Sequence, residues 1–201
     1  MLITFEGIDG CGKSTQIELL EVYLKNKGCK VKILREPGGT EFSESVREIL
    51  LSEKNHINKI SELLLFEAAR ADLVDRILKP ALSEGYIILL DRFYDSTTAY
   101  QGYGRGIPLD VINFSNEIVT NGLKPDITFY LDIPLKTAIE RTNNKELDRM
   151  ESAGNDFFER VIGGYREIAI QESERIIMID GTLDKEKIFE IITRKISHLL
   201  I

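Results

Sequence analysis

Hydrophobic positions along the chain follow two alternating patterns. Short β-rich apolar runs, LITFE at 2–6, VKILR at 31–35, YIILL at 86–90, ITFYL at 127–131 and RIIMID at 175–180, are separated by longer segments of helical period. The intervening segments predict helices over 14–27, 42–51, 59–83, 108–121, 135–142, 155–173 and 184–200. Strands that read as near-continuous apolar runs are buried on both faces, so the alternation predicts an α/β architecture, a parallel sheet flanked by helices on both faces. The least regular stretches are REPGGT at 35–40, AYQGYGRG at 99–106 and NNKELDRMESAGN at 143–155. Irregular segments at strand ends are where an α/β protein keeps its chemistry.

Composition narrows the picture. A chain of 201 residues with 43% hydrophobic content fits one domain, taken as 1–201, and shows no internal repeat or Pro/Gly-rich linker. The 26 Lys and Arg against 33 Asp and Glu give a net charge of -7, which disfavours a surface that tracks nucleic acid. Small anionic ligands stay possible where a few basic residues converge. The opening MLITFE lacks the pattern of a signal peptide, no apolar run approaches membrane-spanning length, and the amphipathic 184–200 helix reads as core cover. Cys11 and Cys29 have no metal-ligand or CxxC spacing and fit a reducing cytoplasm, and His56 and His198 read as ordinary surface residues.

The sharpest signal is Gly7 to Ser14, a full G-x-x-x-x-G-K-[ST] between a strand and an amphipathic helix, the P-loop of NTPases. Gly7 and Gly12 permit backbone angles that turn amide N–H groups toward phosphate, and the helix adds its positive end. Lys13 can reach the β and γ phosphates of ATP, and the Ser14 hydroxyl can ligate a bridging Mg²⁺. The ATP loop is thus Gly7, Ile8, Asp9, Gly10, Cys11, Gly12, Lys13, Ser14 and Thr15. Cys11 reads as a small loop residue whose thiol pKa the helix N-terminus could lower. In IILLDR at 87–92 a buried strand ends in Asp91, a second candidate metal ligand, followed by Arg92, a candidate phosphate clamp. A regulatory GTPase would need N-K-x-D, and NKGC, NKIS and NKEL all lack its Asp. A small-molecule kinase, which needs a second pocket for the acceptor, is the better reading.

EGIDGCGKST, REPGGT, LLLFEAAR and DRFYDSTTAYQG together resemble the thymidylate kinase family, and matching segments run from residue 1 to 156–161. The resemblance implies a five-stranded parallel sheet with a short mobile lid, here about 141–154. It also implies a homodimer and ATP-dependent phosphorylation of dTMP to dTDP. A kinase for another nucleoside monophosphate such as dUMP, or a P-loop binding module, is the alternative. In the family the acidic residue of the loop, Asp9 here, faces the acceptor near its 3'-hydroxyl and phosphate. Arg47 and Arg92 resemble the clamps on the acceptor phosphate, and REPGGT with Pro37 the loop over it. Phe66 would stack on thymine, against a plain reading as core packing, and Arg70 one turn later would bond the base edge. Thr97, Tyr100 and Gln101 match positions near base and sugar, where a Tyr can exclude a ribose 2'-hydroxyl. IDGT at 179–182 matches the place that packs adenine. Members with Gly10 rather than Arg in the loop usually supply lid arginines, but the matching position here is Asn144. Arg149 is the favoured substitute; Arg141 and Lys145 read as solvated surface charges, and Glu151 as a lid or metal-water contact. The catalytic set is Lys13, Arg92, Asp9 and Arg149.

Overall fold

The computed structural model describes residues 1–142, 149–150 and 154–199. Five strands, β1 (Leu2–Glu6), β2 (Val31–Arg35), β3 (Ile87–Asp91), β4 (Ile127–Asp132) and β5 (Ile176–Asp180), form one sheet in the order β2-β3-β1-β4-β5. Every neighbouring pair is parallel, with Thr4 set against Leu90 on one side and Thr128 on the other. All five carboxyl ends therefore share one edge of the sheet, and β1 occupies its centre.

Nine α-helices surround the sheet among the described residues: α1 (Lys13–Asn26), α2 (Glu41–Leu51), α3 (Lys59–Leu73), α4 (Lys79–Ser83), α5 (Tyr94–Thr97), α6 (Leu109–Thr120), α7 (Leu135–Thr142), α8 (Asn155–Gln171) and α9 (Lys185–Ser197). Thr40 and Asn58 cap α2 and α3 through their side-chain oxygens. The two-residue period of the central strands explains why both faces are covered. Ile3, Phe5 and Leu89 point into a core shared with Leu20 of α1, Val161 of α8 and Ile192 of α9. Leu2, Ile88 and Leu90 point the other way, onto Leu73, Val74 and Leu78.

Two expectations change. The helix expected over 59–83 is α3 and α4 joined by a π-helical segment, Val74–Leu78. The stretch expected to be irregular at 99–106 is mostly a second π-helical segment, Thr98–Gly104, continuing α5. Its two glycines argue against a helix on propensity, but packing overrides propensity here. A Cβ on Gly104 would lie 2.6 Å from the Phe157 ring, so the glycine lets α8 approach. Tyr100 meets Phe157, Phe158 and Tyr165 of α8 edge-on, at centroid distances of 6.0, 6.3 and 6.2 Å. Among the described residues no helix is long and apolar enough to cross a membrane.

Candidate active site

The loop between β1 and α1 wraps around Lys13. Gly7 has φ 133°, and a Cβ there would meet Leu131 O at 2.6 Å and Cys11 Sγ at 2.8 Å, so no other residue fits. Lys13 opens α1 with its side chain turned back into the loop: Nζ donates to Gly7 O at 3.1 Å and lies 3.6 Å from Asp9 and 3.9 Å from Asp91. Ile8 and Cys11 are buried beneath the loop, whereas Ser14 and Thr15 are exposed at its end. Burial pushes the Cys11 thiol pKa up and outweighs Lys13 and Arg92, so the lowering that the helix N-terminus could have given does not occur and Cys11 stands as a small buried loop residue. Ser14 and Asp91 line the same cleft, and Asp91 Oδ1 is buried without a hydrogen-bond partner among the described residues. An oxygen pair of this kind suits a hard cation that takes its other ligands from phosphate and water.

A second cleft opens beside Asp9. All nine residues expected at the acceptor line it: Asp9, Pro37, Arg47, Phe66, Arg70, Arg92, Thr97, Tyr100 and Gln101. Four elements deliver them, the P-loop, the loop after β2 with α2, α3, and the segment from β3 through the π-helical turn. Arg47 donates to Pro37 O at 3.0 Å, which ties α2 to the REPGGT loop. Phe66 is half-buried at the edge of a small cluster with Val46, Leu50 and Ala69, so it serves packing and cleft at once. Arg70 is 2% exposed and donates to Glu36, Glu67, Asn116, Phe93 O and Thr97. Burial pushes the Glu36 carboxyl up to about 7 despite Arg70 beside it.

Arg92 lines this cleft, while the residue before it, Asp91, lines the other. Arg92 has φ 70°, an uncommon left-handed conformation for an arginine, fixed by its N–H on Phe5 O at 3.0 Å and by Phe93 N–H on Glu6 Oε1 at 2.7 Å. Its guanidinium donates to Asp9 at 2.8 Å in front and to the hydroxyls of Ser96 and Tyr165 behind, at 3.3 and 3.2 Å. Both hydroxyls lean in turn on Glu6 Oε2, at 2.6 and 3.0 Å. Sequence reasoning missed Glu6, Ser96 and Tyr165. Only Ser96 left a signal, as part of the DRFYDSTTAYQG segment.

The lid region differs from expectation. Arg149 does not meet the phosphate loop: Nη1 donates to Glu62 at 2.7 Å and Nε to Leu50 O at 2.7 Å. Arg141, read as a solvated surface charge, instead bridges the phosphate loop and the loop after β5, donating to Gly10 O at 3.2 Å and Gly181 O at 3.0 Å. Asn144, Lys145 and Glu151 lie outside the described residues.

The thymidylate kinase family model matches residues 5–192. A thymidylate kinase of Prosthecochloris aestuarii is 52% identical over 98% of this chain and 92% of its own length. One from Thermosipho africanus is 49% identical over 94% of each. The crystal structure of thymidylate kinase from Ehrlichia chaffeensis matches with a TM-score of 0.75 and 40% identity, covering 89% of this chain and 91% of that one.

Proposed function

This chain belongs to the thymidylate kinase family, and we propose that it transfers the γ-phosphoryl group of ATP to dTMP, giving dTDP and ADP, across the junction at Asp9 and Arg92. The observation that carries the reading is that the nine acceptor residues, drawn from four separate elements, line one cleft sharing Asp9 with the phosphate loop.

A dTMP phosphate oxygen is already a nucleophile, so it forms the new bond to Pγ while the bond from Pγ to the β-phosphate oxygen breaks and ADP departs. The protein's work is alignment and neutralisation of charge. Lys13 serves the donor phosphates. Arg92 is aimed by Asp9, Ser96 and Tyr165 toward the acceptor phosphate, with Arg47 and the Pro37 loop on its other side. Asp9 lies within reach of both Lys13 and Arg92, which neutralise it, and is read as the acceptor of a sugar hydroxyl proton. Phe66 and Arg70 are read as the base contacts and Tyr100 as the wall at C2'. Ser14 and Asp91 would hold Mg²⁺, which when bound neutralises the β and γ phosphates. On the donor side, Arg141 is the arginine at the phosphate loop, and the lid role of Arg149 requires it to leave Glu62.

The same reading includes a homodimer. Its support is that α2, α3 and α6 expose Phe42 and Ile49, Ile60 and Leu64, and Val111, Phe114 and Ile118 respectively. A cytoplasmic setting accords with two free cysteines.

The test is dTMP-dependent release of ADP from ATP and Mg²⁺, with dTDP identified as the product. Lys13→Ala should lower kcat by about 10²-fold or more, as loss of a preorganised phosphate contact does. Near-normal turnover would remove Lys13 from the chemistry.

A further inference from the structure

Beneath the acceptor cleft a single carboxylate gathers four donated hydrogen bonds. Glu62 of α3 is 1% exposed. Its Oε1 accepts from Gln101 Nε2 at 2.9 Å and Arg105 Nε at 3.1 Å, and its Oε2 from Arg105 Nη2 at 3.2 Å and Arg149 Nη1 at 2.7 Å. Burial pushes this carboxyl up, but the hydrogen bonds from Arg105, Gln101 and Arg149 prevail and hold it below the usual range. Glu62 is therefore ionised, and an ionised carboxylate can only accept.

A glutamine amide has a donor end and an acceptor end that exchange by rotation, so a free one can adapt to either partner. Gln101 has lost that freedom. Its Nε2 is committed to Glu62, while its Oε1 accepts from no group among the described residues, and the residue lines the cleft beside Arg70. Arg70 has no such choice to make, because its five N–H groups are taken by Glu36, Glu67, Asn116, Phe93 O and Thr97. The polar end that this part of the wall leaves uncommitted is thus the Gln101 acceptor. That acceptor complements the N3–H of a 4-oxo pyrimidine and mismatches a 4-amino one, whose N3 is itself an acceptor.

We propose that Glu62 is a specificity-determining positioning residue, which sets the base preference of the cleft by fixing which end of the Gln101 amide meets the acceptor base. The inference rests on the reading of this cleft as the dTMP pocket. Its logic is that a buried polar group with fixed polarity rejects a mismatched ligand, where an adaptable one does not.

The experiment compares kcat/KM for dTMP and for 5-methyl-dCMP, which differ only at position 4 and in the proton on N3. Wild-type protein should strongly prefer dTMP. In Glu62→Gln the new carbonyl stays with Arg105 Nη2 and Arg149 Nη1 at the Oε2 side, and the new NH₂ faces Arg105 Nε and Gln101, of which only the Gln101 amide can turn over. The dTMP preference should then fall at least about tenfold. Arg149→Gln, which leaves the contact between Glu62 and Gln101 intact, should keep the wild-type ratio. Should Glu62→Gln fail to fold with two cations lacking their carboxylate, Glu62→Gln combined with Arg149→Gln asks the same question with one of them removed. General damage lowers turnover of both acceptors and leaves the ratio in place. An unchanged ratio in Glu62→Gln, or in the double variant, would overturn the inference. Wild-type protein that ignores dTMP would instead contradict the proposed function.

Discussion

Asp9 places a negative charge in a loop that gathers phosphates, and its neighbours make this tolerable. Arg92 lies 2.8 Å and Lys13 3.6 Å from the same carboxylate oxygen, so one acid stands between two cations. Charges at such spacing interact strongly when partly buried, and they hold the side chains in position before ligands arrive. Arg141 and Arg149, both expected at a lid, also divide between different partners. Arg141 touches the phosphate loop, whereas Arg149 touches Glu62 below the acceptor cleft. Arg141→Ala should therefore raise KM for ATP by about tenfold and leave KM for dTMP nearly unchanged, the signature of a lost donor-side contact. Equal effects on both substrates, measured in steady-state kinetics, would remove Arg141 from the donor site.

At the scale of elements, the strands and the phosphate loop were legible because their signals are local. LITFE, IILLD and ITFYLD are apolar runs of strand length, and G-x-x-x-x-G-K-S needs no partner to be recognised. What could not be read depends on contacts distant in sequence. The π-helical segment at Thr98–Gly104 exists because α8 packs on it, and Tyr165 reaches Glu6 across 159 positions of the chain. Arg141 and Arg149 look alike in sequence, and only their partners separate them. Glu6 illustrates the cost of joining elements through a buried acid. It binds β1 to α5 and α8, and burial first, then Asp95, pushes its carboxyl up to about 7, as burial does for Glu36. Both folded-state values lie above the ordinary 4.5, so between pH 4.5 and 7 the folded protein holds protons that the unfolded chain has lost. Stability from these groups is fullest below that window and falls as pH rises through it. Tm should thus be higher at pH 6 than at pH 8, by roughly 2–4 °C for each kcal/mol regained. Glu36→Gln should reduce the difference. A Tm that rises from pH 6 to pH 8 would contradict this.

At the scale of the whole molecule, a net charge of -7 is paired with a face of large apolar side chains on three helices that pack side by side. Phe114 is 69% and Leu64 61% exposed, an unfavourable arrangement for a lone subunit in water. Light scattering of the protein should give about twice its 22.9 kDa chain mass, and Phe114→Glu should return it toward one chain. A monomeric wild-type protein would exclude the dimer.

The most direct test of the central claim is ATP-dependent ADP production with Mg²⁺ across dTMP, dUMP, UMP, CMP, AMP and GMP at equal concentration. A cleft built from Phe66, Arg70, Tyr100 and Gln101 should favour dTMP, reject UMP at the 2'-hydroxyl and CMP at the base edge, and show little turnover with either purine. Activity centred on any acceptor other than dTMP would leave the phosphate loop chemistry standing and contradict the acceptor site described here.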